Sequence, residues 1–180
     1  MSLVNTVIII SHLPIIATVI QCLCVYSKLG KALRVFSLFI FLSGFVQFTS
    51  LAFFLAGKNN MPVLHFYVAA SVPCLVWFYK TVLGDYISNR IMLGIIFCFL
   101  AFTLGNSIFI QDIYRFNSNA LVIESIIVII LSIFTFIFLL NDSIQEIEIQ
   151  DKKSLNWINS GLFIYYLSCL LIYYYGDIIL

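Results

Sequence analysis

The stretch ALVIESIIVIILSIFTFIFLL, Ala120–Leu140, is an unbroken apolar run whose one ionisable side chain is Glu124. A helix needs about 20 such residues to cross the hydrocarbon core of a bilayer. Similar runs occur at Leu3–Tyr26, Leu33–Ala56, Val63–Leu83, Ile91–Ile110 and Trp157–Tyr175. In lipid the backbone must satisfy its own hydrogen bonds, which leaves helices or a closed barrel. Barrel strands alternate apolar and polar residues over about 10 positions, and these runs are continuous and longer. The expected fold is all-α, a polytopic six-helix transmembrane bundle forming one domain over residues 1–180.

Composition agrees. The chain is 63% hydrophobic and 9% charged, with a mean hydropathy of +1.11, whereas a soluble domain is about 25% charged. A net charge of +1 without clustered Lys and Arg excludes a nucleic-acid partner, because phosphate binding needs such clusters. The first residues lack the positive region and cleavage site of a signal peptide, so the first run is expected to be a retained span. Cys22, Cys24, Cys74, Cys98 and Cys169 all fall inside spans, odd in number and without a CxxC pair. They read as small apolar packing residues.

Loop charge sets the expected orientation. Lys28, Lys31, Arg34, Lys80, Arg90, Lys152 and Lys153 flank the first, third and fifth connections, while the second and fourth hold only Lys58 and Arg115. Positive residues stay cytoplasmic, so both termini are expected outside. Asn141–Leu155 is the one sizeable loop, and its Ser143–Gln150 run alternates as a short strand or interfacial segment would. It reads as a solvated connector, with docking to a cytoplasmic partner as the alternative.

Membrane helices associate through small residues and polar bridges. Gly94, Cys98, Ala101 and Gly105 share one face of the fourth span and are expected to touch another helix. Ser43, Gln47 and Ser50, with Gly44 beside them, form a face on the second span. On the sixth, Trp157, Gly161 and Ser168 form one stripe, and Asn159, Tyr166 and Tyr173 a second. Pro14 and Pro73 interrupt the first and third spans; such a residue removes a helix hydrogen bond, which predicts either a cavity beside the third span or a plain kink.

Glu124 is the residue that most needs a reason. A carboxylate at that depth costs several kcal/mol unless paired or hydrated, so the face it shares with Asn117 and Thr135 must look into the bundle. His12, which shares a face with Asn5, lies at a similar depth, as do His65 and Asn106. Together with Tyr166 and Tyr173 these residues are the candidate ligand-binding set, expected to converge in the outer half of the membrane. Neither histidine has a ligand partner at metal spacing within its own helix, so no metal is read. No Walker or dinucleotide loop occurs and the last span carries no lysine for a retinal Schiff base, so no cofactor is read.

The run Asn59-Asn60-Met61-Pro62-Val63-Leu64-His65-Phe66-Tyr67, continuing to Tyr79-Lys80, resembles a pattern in small multispan membrane proteins of Bacteroidetes-type bacteria, as does the Trp157–Ser160 opening of the sixth span. That pattern carries an acid four residues after the tyrosine, where this chain has Ser71, and some of its members have a seventh span. The resemblance implies a bacterial inner membrane and no particular activity. The functional expectation is a non-enzymatic, sensor-like or ligand-binding module with the lipid bilayer around it and a small or lipidic ligand in its pocket. The alternatives are an intramembrane lipid-modifying enzyme using Glu124 and a histidine as acid and base, a small transporter with Pro14 and Pro73 as paired helix breaks, and an accessory subunit bound to a membrane protein partner.

Overall fold

The computed structural model describes residues 10–140 and 149–179, with side chains described over 10–140 and 152–173. The helices are α1 (Leu13–Val25), α2 (Lys31–Leu55), α3 (Met61–Leu83), α4 (Asn89–Gly105), α5 (Ser118–Leu140) and α6 (Ile149–Ile179). A π-helical turn, Asn106–Ile110, continues α4, and no strand occurs among the described residues. Five segments are long and apolar enough to cross a membrane: Lys31–Leu55, Met61–Tyr86, Asn89–Ile110, Ser118–Leu140 and Lys152–Tyr173. The α1 helix is shorter, with 13 residues; the expected first span begins at Leu3, and residues 1–9 lie outside the described ones.

Exposure runs opposite to that of a water-soluble protein. Phe97, Phe109 and Leu140 are 75%, 84% and 79% exposed, while Asn117, Glu124 and Asn159 are 0–1% exposed. An apolar solvent makes that arrangement favourable, because the polar side chains are shielded inside the protein and each exposed ring finds lipid. The chain is a membrane-embedded helical bundle.

The α3 helix is its axis, packed against α2, α4 and α5, while α6 packs along α5 and α1 along α2. Val68, Val72, Leu75, Val76, Phe78 and Tyr79 of α3 are 0–1% exposed. A Cβ on Gly44 would lie 2.8 Å from Val19 Cγ2, so the glycine is what lets α1 approach α2. The turns at one end are held by cations on carbonyls. Arg34 donates to the carbonyls of Leu29 at 2.8 Å and Ser27 at 3.0 Å. Lys80 donates to the carbonyls of Gly84 and Ile87, and Gly84 ends α3 at φ +54°, a conformation that suits glycine.

Several expectations need correction. The Gly94–Gly105 stripe does not touch another helix: Gly94, Cys98 and Ala101 are exposed, and a Cβ on Gly94 or Gly105 would meet nothing within 4 Å. The inward face of α4 is instead Met92, Phe99 and Thr103, followed by Asn106 in the π turn. On α6 the Trp157, Gly161 and Ser168 stripe faces outward, and Asn159 and Tyr166 face inward. The expected loop ending at Leu155 is shorter, since α6 starts at Ile149 and Leu155 is 4% exposed. Of the Ser143–Gln150 run, only Ile149 and Gln150 are described, and both are helical. Pro14 sits in the first turn of α1, directly after the break at His12 that parts it from the helical residues 10 and 11, so it interrupts the first run as expected, while Pro73 lies inside α3.

The open glycines give a test. Leucine at Gly105 meets lipid rather than a helix, so Gly105→Leu is expected to leave stability within about 1 kcal/mol of wild type, with any gain coming from helix propensity. Thermal unfolding in detergent measures it, and a loss above 2 kcal/mol would mean that the face is packed.

Candidate functional site

Glu124 belongs to the inward face of α5, with Leu121, Ser125, Val128, Ser132 and Thr135. It is 1% exposed. Its Oε1 accepts from Ser71 Oγ of α3 at 2.6 Å and from Tyr166 OH of α6 at 3.0 Å. The Ser71 hydroxyl also lies 3.0 Å from the Val68 carbonyl. It has one proton, and the shorter contact to an acid oxygen takes it. Three helices thus meet on one carboxyl oxygen. The other, Oε2, is buried without a partner among the described residues.

Glu124 lines a cavity of about 270 Å³ between α2, α3, α5 and α6. Ser43, Gln47 and Ser50 supply its α2 wall, Asn60, Leu64 and Tyr67 the α3 side, and Tyr165, Tyr166 and Tyr173 the α6 side, with Phe116 at the rim. Ser43 Oγ donates to the Phe39 carbonyl at 2.8 Å and lies 3.4 Å from Tyr67 OH, which therefore donates to it. Asn60 Nδ2 donates to Ser50 Oγ at 2.6 Å. The Tyr173 ring packs against Phe116 with centroids 5.7 Å apart. No Lys, Arg or His lines this cavity among the described residues. The cavity expected beside the third span is therefore lined by the first turns of α3 rather than by Pro73.

Of the six candidate residues, Glu124, Tyr166 and Tyr173 come together here, and His12, His65 and Asn106 do not line the cavity. His65 is 6% exposed and bridges Ser107 Oγ at 2.7 Å and the Arg115 carbonyl at 3.1 Å. It is a strut between α3 and the α4–α5 connection. Asn106 is the hub of an amide cluster at the same end. Its Nδ2 donates to Gln111 Oε1 and Asn117 Oδ1, both at 2.8 Å, and its Oδ1 accepts from Asn119 at 3.1 Å. His12 lies beside Ser11 just before α1, and Asn5 is outside the described residues. Neither histidine bonds to Glu124, so the acid–base pair of the enzyme alternative is not assembled. No three His, Cys, Asp or Glu side chains gather among the described residues.

Tyr67, Ser71 and Tyr165 belong to the site and were not among the candidates. Tyr67 and Ser71 are four residues apart on α3 and so share a face, which was the available signal. Deeper in the bundle, Tyr79 OH and Ser132 Oγ are 2.7 Å apart, and Asn159 Nδ2 donates to the Ser132 carbonyl at 3.0 Å. This second polar layer ties the same three helices, α3, α5 and α6.

The chain matches no family model, no curated protein and no solved structure.

Proposed function

We propose that the protein is a six-span, non-enzymatic ligand-binding module of a bacterial inner membrane, sensor-like in type, whose pocket in the outer half takes a small or lipidic molecule. One observation carries the reading. Glu124 Oε2, a strong acceptor buried beside a cavity, has no partner among the described residues, and a buried polar group left unpaired costs about 1–3 kcal/mol. An occupant that supplies a donor removes that cost. The polar wall of Ser43, Gln47 and Ser50 and the phenol rings opposite it fit an amphipathic guest, with few directional groups in an otherwise apolar site. The enzyme alternative has no support of this kind, because both histidines bond elsewhere.

Gln47 is an exposed residue on the cavity wall, so Gln47→Trp fills the pocket from its rim without disturbing the core. Native mass spectrometry of the protein released from membranes is expected to show a bound small molecule on wild type and none on this variant. A bare wild type, or the same adduct on both, would overturn the pocket. Orientation is tested separately with cysteines placed at Ser2 and Ser143. An impermeant thiol reagent on intact cells is expected to label the first and spare the second, and labelling at Ser143 would invert the topology.

A further inference from the structure

Resting on that pocket reading, we infer that the occupant carries an ammonium group, bound as an organic cation against Glu124 with its carbon skeleton among the tyrosine rings. Among the described lining residues Glu124 is the sole acid, and none of them is cationic. An anionic guest would bring a second negative charge into a low-dielectric site with nothing to balance it, whereas an ammonium neutralises the carboxylate and offers donors toward which Oε2 can turn. The walls point the same way. Tyr67, Phe116, Tyr165, Tyr166 and Tyr173 surround the space above the carboxyl group, and aromatic faces attract ammonium ions. The Tyr166 hydroxyl already spends its proton on Oε1, and that of Tyr67 is taken up by Ser43. Those two phenols therefore present ring surface and acceptor lone pairs rather than donors. At about 270 Å³ the cavity falls just below the range of roughly 300–1,000 Å³ for drug-sized ligands, so the bound portion is small: a compact amine, or the amine headgroup of a lipid whose chains stay outside.

The test uses the full chain in maltoside micelles, which hold no amine of their own. Radiolabelled benzylammonium is the probe, with unlabelled benzyl alcohol and benzoate as neutral and anionic competitors of the same skeleton. Saturable binding of benzylammonium, displaced by neither competitor, is expected. Glu124→Gln keeps an oxygen to accept from Ser71 and Tyr166 but turns the unpaired acceptor into an N–H donor. It is expected to unfold near the wild-type temperature and to weaken benzylammonium at least about tenfold, the worth of a charged hydrogen bond. Tyr173→Leu is expected to weaken it severalfold and Tyr173→Phe to leave it unchanged. Added phosphatidylethanolamine and phosphatidylglycerol separate the sources: competition by the first alone assigns a lipid headgroup, and by neither a free amine, and both results support the cation. If benzyl alcohol displaces the probe as well as the amine does, or Glu124→Gln binds like wild type, the cation is overturned while the pocket stands. If benzylammonium does not bind at all, the cation is likewise overturned, and the Gln47→Trp comparison decides the pocket by itself.

Discussion

Glu124→Leu is expected to lower the free energy of unfolding by about 1–3 kcal/mol, and the loss is expected to be reversed by adding Tyr166→Phe. Two terms compete in the single substitution. Removing the carboxyl group abolishes the unpaired Oε2, which is favourable, and fills the space with apolar atoms. It also strands the Tyr166 hydroxyl, on a side chain 4% exposed whose bond to Oε1 is its described contact to α5. Ser71 is less affected because its proton turns back to the Val68 carbonyl 3.0 Å away. The stranded phenol decides the sign, since a buried hydroxyl without a partner carries its whole desolvation cost. Removing both partners leaves no orphan, and replacing an entire buried polar pair by apolar groups is often neutral or stabilising. The double variant should therefore match or exceed wild type. Denaturation of the four proteins of the cycle in detergent measures the coupling. A leucine variant as stable as wild type, or a double variant no better than the leucine alone, would show that the Tyr166 bond does not hold α6 to α5.

The same contrast between polar and small residues explains which parts of the fold could be read from the sequence. Five of the six expected spans were legible because their apolar runs are long. Helix rotation was legible only where a side chain could not tolerate lipid. Asn159 and Tyr166 fix the inward face of α6, and Asn106 that of the turn continuing α4, because turning any of them outward would expose hydrogen-bonding groups to hydrocarbon. Glycine has no such penalty, so Gly94 and Gly105 can face either way and their spacing carries no direction. Serine is equally uninformative: Ser168 donates to the Ile164 carbonyl at 2.9 Å within its own helix and can sit on the exposed face. A shared end of the bundle does not bring residues together. His65, Asn106 and Glu124 lie toward the same end of the bundle, yet His65 and Asn106 turn to the α4–α5 connection and Glu124 turns to the cavity. The Ser71 contact was out of reach for a related reason, because it depends on the register of α3 against α5.

Asn106→Leu is expected to be at least as damaging as the loss of Glu124, at about 2–4 kcal/mol, and to act in a different place. Asn106 is 1% exposed and uses its whole side chain, giving two bonds and accepting one. A polar bond between membrane helices averages only about 0.6 kcal/mol, with a maximum near 1.7, so three account for roughly 2. The rest comes from what is left behind. Asn117 already has a buried Nδ2 without a partner, and losing Asn106 strands its Oδ1 as well. Gln111 keeps the bond to Ser118 and a 3.3 Å contact from the Asn119 backbone, so the damage concentrates at the start of α5. None of the described hydrogen bonds to Glu124 passes through this cluster, so folded Asn106→Leu protein should match wild type in the benzylammonium assay. Hydrogen exchange is expected to speed up over residues 106–119 while the α3–α5 core near Tyr79 and Ser132 stays protected. A variant that unfolds within about 0.5 kcal/mol of wild type, or one whose exchange rises equally in both regions, would show that the amide cluster does not anchor the α4–α5 connection.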